Sequence, residues 1–439
     1  MTRWLARQGA VVAVADTRAV PPHAQLLARE MPQVSVRAGA FRREDFDEAE
    51  MIALSPGIDP REGELAAAIR RGTAVTGDVE LFAQALRERK SKARVLAITG
   101  SNGKSTVTAM CGAICANAGQ DAVVAGNIGL PVLEVMTQIE DGRRMPDTFV
   151  LELSSFQLET MVSLAPAAAT LLNLSEDHMD RYDSFAEYGA AKARVFAGDG
   201  VQVLNRDDAH SLAMAHPGRT LATFGLSAPL AANEWGIAEV GGAQHLAHGA
   251  ANLMAVAELP LAGLHNAANA LAACALCRVT GVSNEAMVGA LRGFKGLPHR
   301  VEKINKINDV EFFDDSKGTN VGATVAALNG MQQPVVLIAG GDGKGQDFSP
   351  LAAAAARARA VVLIGRDADQ IARVLEPAGV PLQRAVSMNQ AVDMAYHAAR
   401  PGDAVLLSPA CASYDMFRNY IHRAEVFVEA VSLLSRRLS

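Results

Sequence analysis

A strand that runs into a glycine turn and then a helix constrains this chain more than any other feature. The segment Val95-Leu-Ala-Ile-Thr-Gly100-Ser-Asn-Gly103-Lys104-Ser105-Thr106 is apolar until Thr99 and then turns small and polar. Glycines let the backbone wrap an oxyanion, a helix start offers unpaired N–H groups and the positive end of its dipole, and lysine adds a compact charge. Ser105 stands where a hydroxyl ligates Mg²⁺. The strict phosphate-loop spacing asks for glycine at position 98, where Ile98 stands, so the loop is a shortened variant. An ordinary glycine turn is the bland alternative. The strand before it and the helix after it favour ATP, with Gly100, Ser101, Asn102, Gly103, Lys104, Ser105 and Thr106 around the phosphates.

A strand–turn–helix of this kind belongs to a mostly parallel α/β sheet, and 439 residues exceed what one core serves, since single cores stop growing near about 250 to 300 residues. The rhythm of apolar runs divides the chain into three α/β units: 1–90, 91–296 and 297–439. In the first, strands are expected at Val11 to Ala15 and Met51 to Leu54. Helices are expected near His23 to Met31, at Gly63 to Arg71 and at Val79 to Arg89. Strands at Arg94 to Thr99, Thr148 to Leu153, Ala169 to Leu174 and Val201 to Asn205 make the second unit, with an Ala-rich helix from Asn266 to Val279. Pro229 to His248 reads as hairpins or loop. The third unit carries strands at Val310 to Phe313, Val335 to Ala339, Ala360 to Ile364 and Ala404 to Leu407.

Met1 to Gly9 reads as the last turns of a helix and Val11 to Ala15 as a second strand, so a first strand and glycine turn are expected upstream of Met1. The first unit is therefore expected to be Rossmann-like but to lack its first strand.

The formal charge of −6 argues against nucleic acid and anionic membrane as partners, and requires any anionic ligand to be held by a concentrated site. No apolar run approaches the roughly 20 residues of a membrane span, and no signal-peptide pattern opens the sequence. Cys111, Cys115, Cys274, Cys277 and Cys411 are an odd set without zinc spacing. They suit small core positions in a reducing compartment, with a metal or redox role as the alternative. A cytoplasmic location follows.

A magnesium nucleotide needs counter-charge, and three further segments offer it. Glu152 closes the strand Val150-Leu-Glu-Leu153, His178 lies in Ser175-Glu-Asp-His-Met-Asp-Arg181, and Lys192 and Arg194 sit on an apolar helix. Taken singly each has an ordinary reading: a surface glutamate, a hydrogen-bonded loop histidine, and basic residues snorkelling to solvent.

Together with Leu264-His-Asn266-Ala-Ala-Asn269, Gly296-Leu-Pro-His-Arg300, Asp314-Asp315-Ser-Lys317-Gly-Thr319-Asn320, Gly340-Gly-Asp-Gly-Lys344 and Ser408-Pro-Ala-Cys-Ala-Ser413, these segments resemble the Mur ligase family over nearly the whole chain. The resemblance implies three domains: Rossmann-like, P-loop ATPase-like and Rossmann-like. It implies ATP-dependent amide ligation through an acyl phosphate. Within the family it points to the D-glutamate-adding branch, because the Asp-Asn-Pro-Arg run expected of a diaminopimelate-adding relative is absent from the last unit. Ligation of another amino acid or acceptor, and a non-catalytic nucleotide switch, are the alternatives.

Residue by residue, the likeness implies that Lys104 and Ser105, with Glu152, hold the ATP phosphates and a first Mg²⁺. His178 and a carbamylated Lys192 hold a second. Asn266 and Asn269 correspond to adenine contacts, Arg300 and Asp315 to those of α-phosphate and ribose. Asp16, Thr17, Arg18, Ser55, Pro56 and Gly57 correspond to the UDP-sugar site, and Asn127, Ser154 and Gln157 to the muramoyl group. Lys317, Thr319, Lys344, Ser413 and Tyr420 correspond to the D-glutamate pocket, although alanine and phenylalanine are the residues expected at Gly318 and Tyr420. Lys104, Asn127, His178 and Lys192 are the expected catalytic set. UDP-N-acetylmuramoyl-L-alanine, D-glutamate and ATP are the expected partners of a monomer.

Overall fold

A computed structural model describes residues 1–261 and 263–438. Four sheets organise them, and the sites expected from sequence fall at the C-terminal ends of the parallel strands.

The first unit holds two separate parallel pairs, β1 (Ala13–Asp16) with β2 (Ser35–Ala38) and β3 (Met51–Ala53) with β4 (Ala74–Thr76). Among the described residues no ladder joins the pairs. A small core of Phe46, Leu54, Leu65 and Ala68 supports the second pair. The helix Asp78–Glu88, expected in this unit, buries Val79, Phe82 and Leu86 in a core shared with the central sheet. Phe82 meets Phe149 edge to face at 4.9 Å.

The central sheet contains β5 (Arg94–Thr99), β6 (Ala122–Gly126), β7 (Thr148–Glu152), β8 (Ala168–Leu171), β9 (Val201–Asn205), β10 (Leu221–Phe224), β11 (Glu234–Val240), β12 (Ala243–His248) and β13 (Ala251–Ala255). Their order is β13-β12-β11-β10-β9-β8-β5-β7-β6, so the strand that feeds the phosphate loop lies between β8 and β7. It is paired in parallel on both sides. Continuous burial from Val95 to Thr99 explains its unbroken apolar reading. The weakly periodic stretch expected as hairpins or loop forms antiparallel β11–β12 and β12–β13 pairs. Gly241 and Gly242, at φ +60° and +81°, make the β11–β12 turn, where positive φ excludes most side chains.

Helices Lys104–Asn117 and Leu264–Arg278 pack together on one face of this sheet. All five cysteines are free and buried, four of them on these two helices, as small core residues.

The third sheet contains β14 (Glu302–Ile307), β15 (Val310–Asp314), β16 (Val335–Gly340), β17 (Ala360–Ile364), β18 (Leu382–Arg384) and β19 (Ala404–Leu407), in the order β14-β15-β19-β16-β17-β18. Only β14 is antiparallel. No strand is expected from sequence at β2, β4, β6, β10, β13, β14 or β18, and all of these but β10 lie at the edges of their sheets. An edge strand needs no continuous apolar run, and β14 in particular carries two lysines and a glutamate. The loops after β15, β16 and β19 leave three adjacent strands at the same end, the usual location of ligand sites in α/β sheets. No helix among the described residues is long and apolar enough to cross a membrane.

Candidate active site

A cavity of about 530 Å³ lies where the C-terminal ends of β5, β7 and β8 face those of β15, β16 and β19. The phosphate loop forms its floor. Gly103, at φ +82°, leads into the helix beginning at Lys104, and a Cβ there would lie 2.6 Å from Asn269 Oδ1. Glycine at this position thus lets the loop reach the helix carrying Asn266 and Asn269, and Asn269 donates to Asn266 Oδ1 at 3.3 Å. Ser101, Asn102, Lys104, Ser105 and Thr106 all line the cavity, and Gly100 lies just behind it. The Gly100 carbonyl accepts from Lys104 Nζ at 2.8 Å and from Lys192 Nζ at 2.9 Å.

Burial decides between the ordinary and the functional readings of the acidic and basic residues. Glu152 is 1% exposed, not a surface group. Its Oε1 accepts from Asn127 Nδ2 at 2.8 Å, whereas Oε2 is buried with no hydrogen-bond partner. Lys192 is 2% exposed and does not snorkel; its ammonium lies 4.7 Å over the Tyr188 ring. Burial, reinforced by Lys104, holds Lys192 well below the usual lysine pKa. Lys104 is lowered as well, chiefly by burial. Burial takes His178 down to about 4, with the neighbouring lysines adding to the shift against the pull of Asp177.

The C-terminal unit closes the opposite wall with Arg300, Asp315, Lys317, Thr319, Lys344, Ser413 and Tyr420. Arg300 Nη2 donates to Ser105 Oγ at 2.7 Å. Asp315 is buried, and burial raises it to about 7 although Ser408 Oγ donates to it at 2.6 Å. Glycine at 318 leaves room for Asp315, since a Cβ there would come within 2.6 Å of Asp315 Oδ2 unless that side chain shifted. Lys317 is lowered to about 8, by burial and by Arg300, with its ammonium 4.0 Å over the Tyr420 ring. Concentrating these cations in one cavity reconciles a chain of net charge −6 with a polyanionic ligand.

Several expected residues lie elsewhere. Pro56 and Gly57 reach the cavity, but Asp16, Thr17, Arg18 and Ser55 are not on its wall. Asp16 is paired with Arg18, its own neighbour two residues on. Ser154 lines the cavity, whereas Gln157 does not. Gln157 closes a capping box on the helix Ser155–Glu159 and donates to Asp78 Oδ2 at 3.2 Å, so its amide is committed to holding the chain together. Among the described residues the one grouping with metal-ligand spacing is His299, Glu302 and Asp314, outside the expected set; there His299 Nδ1 pairs with Asp314 Oδ2 at 2.6 Å, and Glu302 Oε2 accepts from the His299 backbone N–H at 2.9 Å.

Asp177 was not singled out from sequence. It accepts from Lys344 Nζ and, at 3.4 Å, from Asn320 Nδ2, so it ties the loop after β8 to the C-terminal unit. Burial works to raise its pKa, but Lys344, His178 and Lys104 outweigh that and hold it well below the usual carboxylate range. The only signal in the sequence was its place beside His178.

Three family models match the chain: the Mur ligase MurD-like N-terminal domain over residues 1–77, the Mur ligase middle domain over 98–277, and the Mur ligase glutamate ligase domain over 299–411. The UDP-N-acetylmuramoylalanine–D-glutamate ligase of Methylobacillus flagellatus is 56% identical over 436 residues, covering 99% of this chain and 94% of its own. That of Thiobacillus denitrificans is 56% identical over 446 residues, covering 99% and 93%. Among solved structures, the pseudomurein peptide ligase type C of Methanothermus fervidus superposes with a TM-score of 0.62 at 17% identity, covering 98% of this chain and 96% of that one. The UDP-N-acetylmuramate-alanine ligase of Thermotoga maritima gives 0.62 at 17%, covering 98% and 95%. At this identity the structural likeness speaks to the fold.

Proposed function

Because the chain belongs to the Mur ligase family, we propose that its cavity joins D-glutamate to UDP-N-acetylmuramoyl-L-alanine at the expense of ATP, a step of peptidoglycan precursor synthesis. The observation that carries the reading is the meeting of the phosphate loop, an acidic residue with an orphaned buried oxygen, and the cations Lys317 and Lys344 in one cavity.

A carboxylate does not acylate an amine at neutral pH, so the alanyl carboxylate first attacks the γ-phosphorus of ATP and ADP leaves. The amine of D-glutamate then attacks the acyl carbon, phosphate leaves, and the amine nitrogen gives up its proton. Lys104 supplies fixed positive charge to the transferring phosphoryl group, and Arg300 does so from the opposite wall. Asn266 and Asn269 face the adenine, and Asp315 the ribose. Lys317, Thr319, Lys344, Ser413 and Tyr420 receive D-glutamate, with the two lysines available to its carboxylates. Pro56, Gly57, Asn127 and Ser154 border the nucleotide-sugar. Enclosure between two units excludes the water that would hydrolyse an acyl phosphate.

The unpartnered Glu152 Oε2, on the same cavity wall as Ser105, fits a hard divalent cation. Ser105 and Glu152 would hold one magnesium, and His178 with a carbamylated Lys192 a second; when bound, the ions would supply charge neutralisation for the phosphates. The reading includes a reducing, cytoplasmic compartment, which five free, buried cysteines support.

The test is product formation. ADP and phosphate should appear only when UDP-N-acetylmuramoyl-L-alanine and D-glutamate are both present. If L-lysine or diaminopimelate matched D-glutamate in kcat/KM, the amino-acid assignment would be wrong. ATP turnover that ignored both co-substrates would favour the nucleotide switch.

A further inference from the structure

The loop from Glu176 to Asp183 is gripped from two sides. From the C-terminal unit, Lys344 and Asn320 bind Asp177, and the Asp347 N–H donates to Glu176 Oε2 at 3.2 Å. From the N-terminal unit, Arg61 donates to the Arg181 carbonyl and pairs with Asp183 at 3.2 Å, while Asp59 Oδ2 lies 3.5 Å from Arg181 Nε.

Arg181 lies at the centre of the second grip. Its side chain is 10% exposed and pairs with Glu159 at 2.6 Å. The guanidinium carbon sits 5.0 Å from the centroid of the Phe156 ring, and that ring lies 4.8 Å from the imidazole of His178. His178 itself adopts φ +58°, a left-handed conformation that a non-glycine residue keeps only where its surroundings enforce it. Asp59 follows Pro56 and Gly57, which border the cavity, on the same loop.

We propose that Arg181 is a positioning residue: it transmits the seating of the N-terminal unit, sensed at Asp59, through the face of Phe156 to the imidazole of His178. The inference rests on the reading that His178 faces the reacting groups. Engagement of the nucleotide-sugar beside Pro56 and Gly57 then reaches His178 through three packed contacts, and the site is completed only when the N-terminal unit is in place. A residue that merely braced Glu159, which also accepts from the Tyr182 hydroxyl at 2.6 Å, would affect stability without directing His178.

The experiment uses the full-length, metal-free protein without ligands. Diethyl pyrocarbonate modifies neutral imidazoles, and peptide mass spectrometry gives the rate at His178 with exposed His216 as internal control. Contacting residues in one network typically couple strongly enough that Asp59→Asn, Arg181→Gln and Phe156→Leu should each change the His178 rate by about threefold or more, leaving His216 unchanged. The double variant Asp59→Asn/Arg181→Gln should go no further than Arg181→Gln alone. Steady-state kinetics should show a lower kcat in Asp59→Asn with KM for ATP unchanged. An unaltered His178 rate in either Asp59→Asn or Phe156→Leu overturns the proposal, and these two variants keep it testable if Arg181→Gln does not fold. A fully active His178→Ala variant, by contrast, would undo the reading of the site and leave the reactivity result standing.

Discussion

Arg300 Nη2 donates to Ser105 Oγ at 2.7 Å, joining the segment that leads into β14 to the first turn of the phosphate-loop helix. Arg300 is half-buried, and desolvation lowers its pKa despite the pull of Glu152 and Asp315. The guanidinium ties the two walls together, and on the proposed function it also binds a phosphate oxygen, which the point charge of lysine does less well. Arg300→Lys should raise the KM for ATP by about 10- to 100-fold, the value of one charged hydrogen bond. Initial rates at varied ATP check this, and an unchanged KM would remove Arg300 from the nucleotide site.

Lys192 is expected to carry a carbamate. Its amine is buried and held well below the usual lysine pKa, chiefly by burial and then by Lys104, so the neutral form that reacts with CO₂ is favoured. Lys192→Ala should be nearly inactive and Lys192→Arg should not rescue it, because a guanidinium cannot become a carboxylate. A carbamate resonance from ¹³C-bicarbonate that is lost in Lys192→Ala would identify the group. Full activity of Lys192→Ala refutes the assignment.

The pH profile for D-glutamate follows from Lys317. Burial and Arg300 bring this group from the usual 10.5 to about 8, so it is charged below pH 8 and increasingly neutral above. If it binds a substrate carboxylate, kcat/KM for D-glutamate should be flat below pH 8 and fall above it, approaching about tenfold per pH unit for a single group. The stability sign is opposite. A lysine with a lowered folded pKa costs stability below pH 8, and the cost is relieved as pH rises from 8 toward 10.5. Lys317→Met should therefore be more thermostable than the unsubstituted protein at pH 7, with the gap narrowing by pH 10.

Lys344 and Asp177 form a largely buried pair across two units, with side-chain exposures of 14% and 9%. Lys344→Met removes the only salt-bridged cation of Asp177 among the described lysines and arginines, leaving it Lys104 and Asn320 as weaker partners, so a loss of up to about 3 kcal/mol is expected at pH 7. Because Asp177 lies below its ordinary 3.8, the pair contributes stability above that pH and loses it as the pH falls through the depressed pKa. Urea unfolding at pH 7 and pH 3 should show the difference between the two proteins shrinking at the lower pH.

The residues that chemistry demands within a few positions of one another were legible from sequence alone. Gly103, Lys104 and Ser105 announce themselves because the strand, turn and helix start that make them a phosphate cradle are local. The same holds for the buried strands β5, β16, β17 and β19, whose unbroken apolar runs follow from burial on both faces. What the sequence could not express was which distant groups would meet. Asp177 and Lys344 are 167 positions apart and Arg300 and Ser105 are 195 apart, and neither spacing carries a periodic signal. Gln157 has the composition of a binding residue, yet the fold uses its amide to cap a helix and hold Asp78. Whether a polar side chain meets a ligand or satisfies its own backbone is set by the chains packed around it, because a buried polar atom must be partnered by whatever lies within hydrogen-bond reach. Tertiary packing alone decides that, and it is why Arg181, an unremarkable arginine in the sequence, stands between two units and the imidazole of His178.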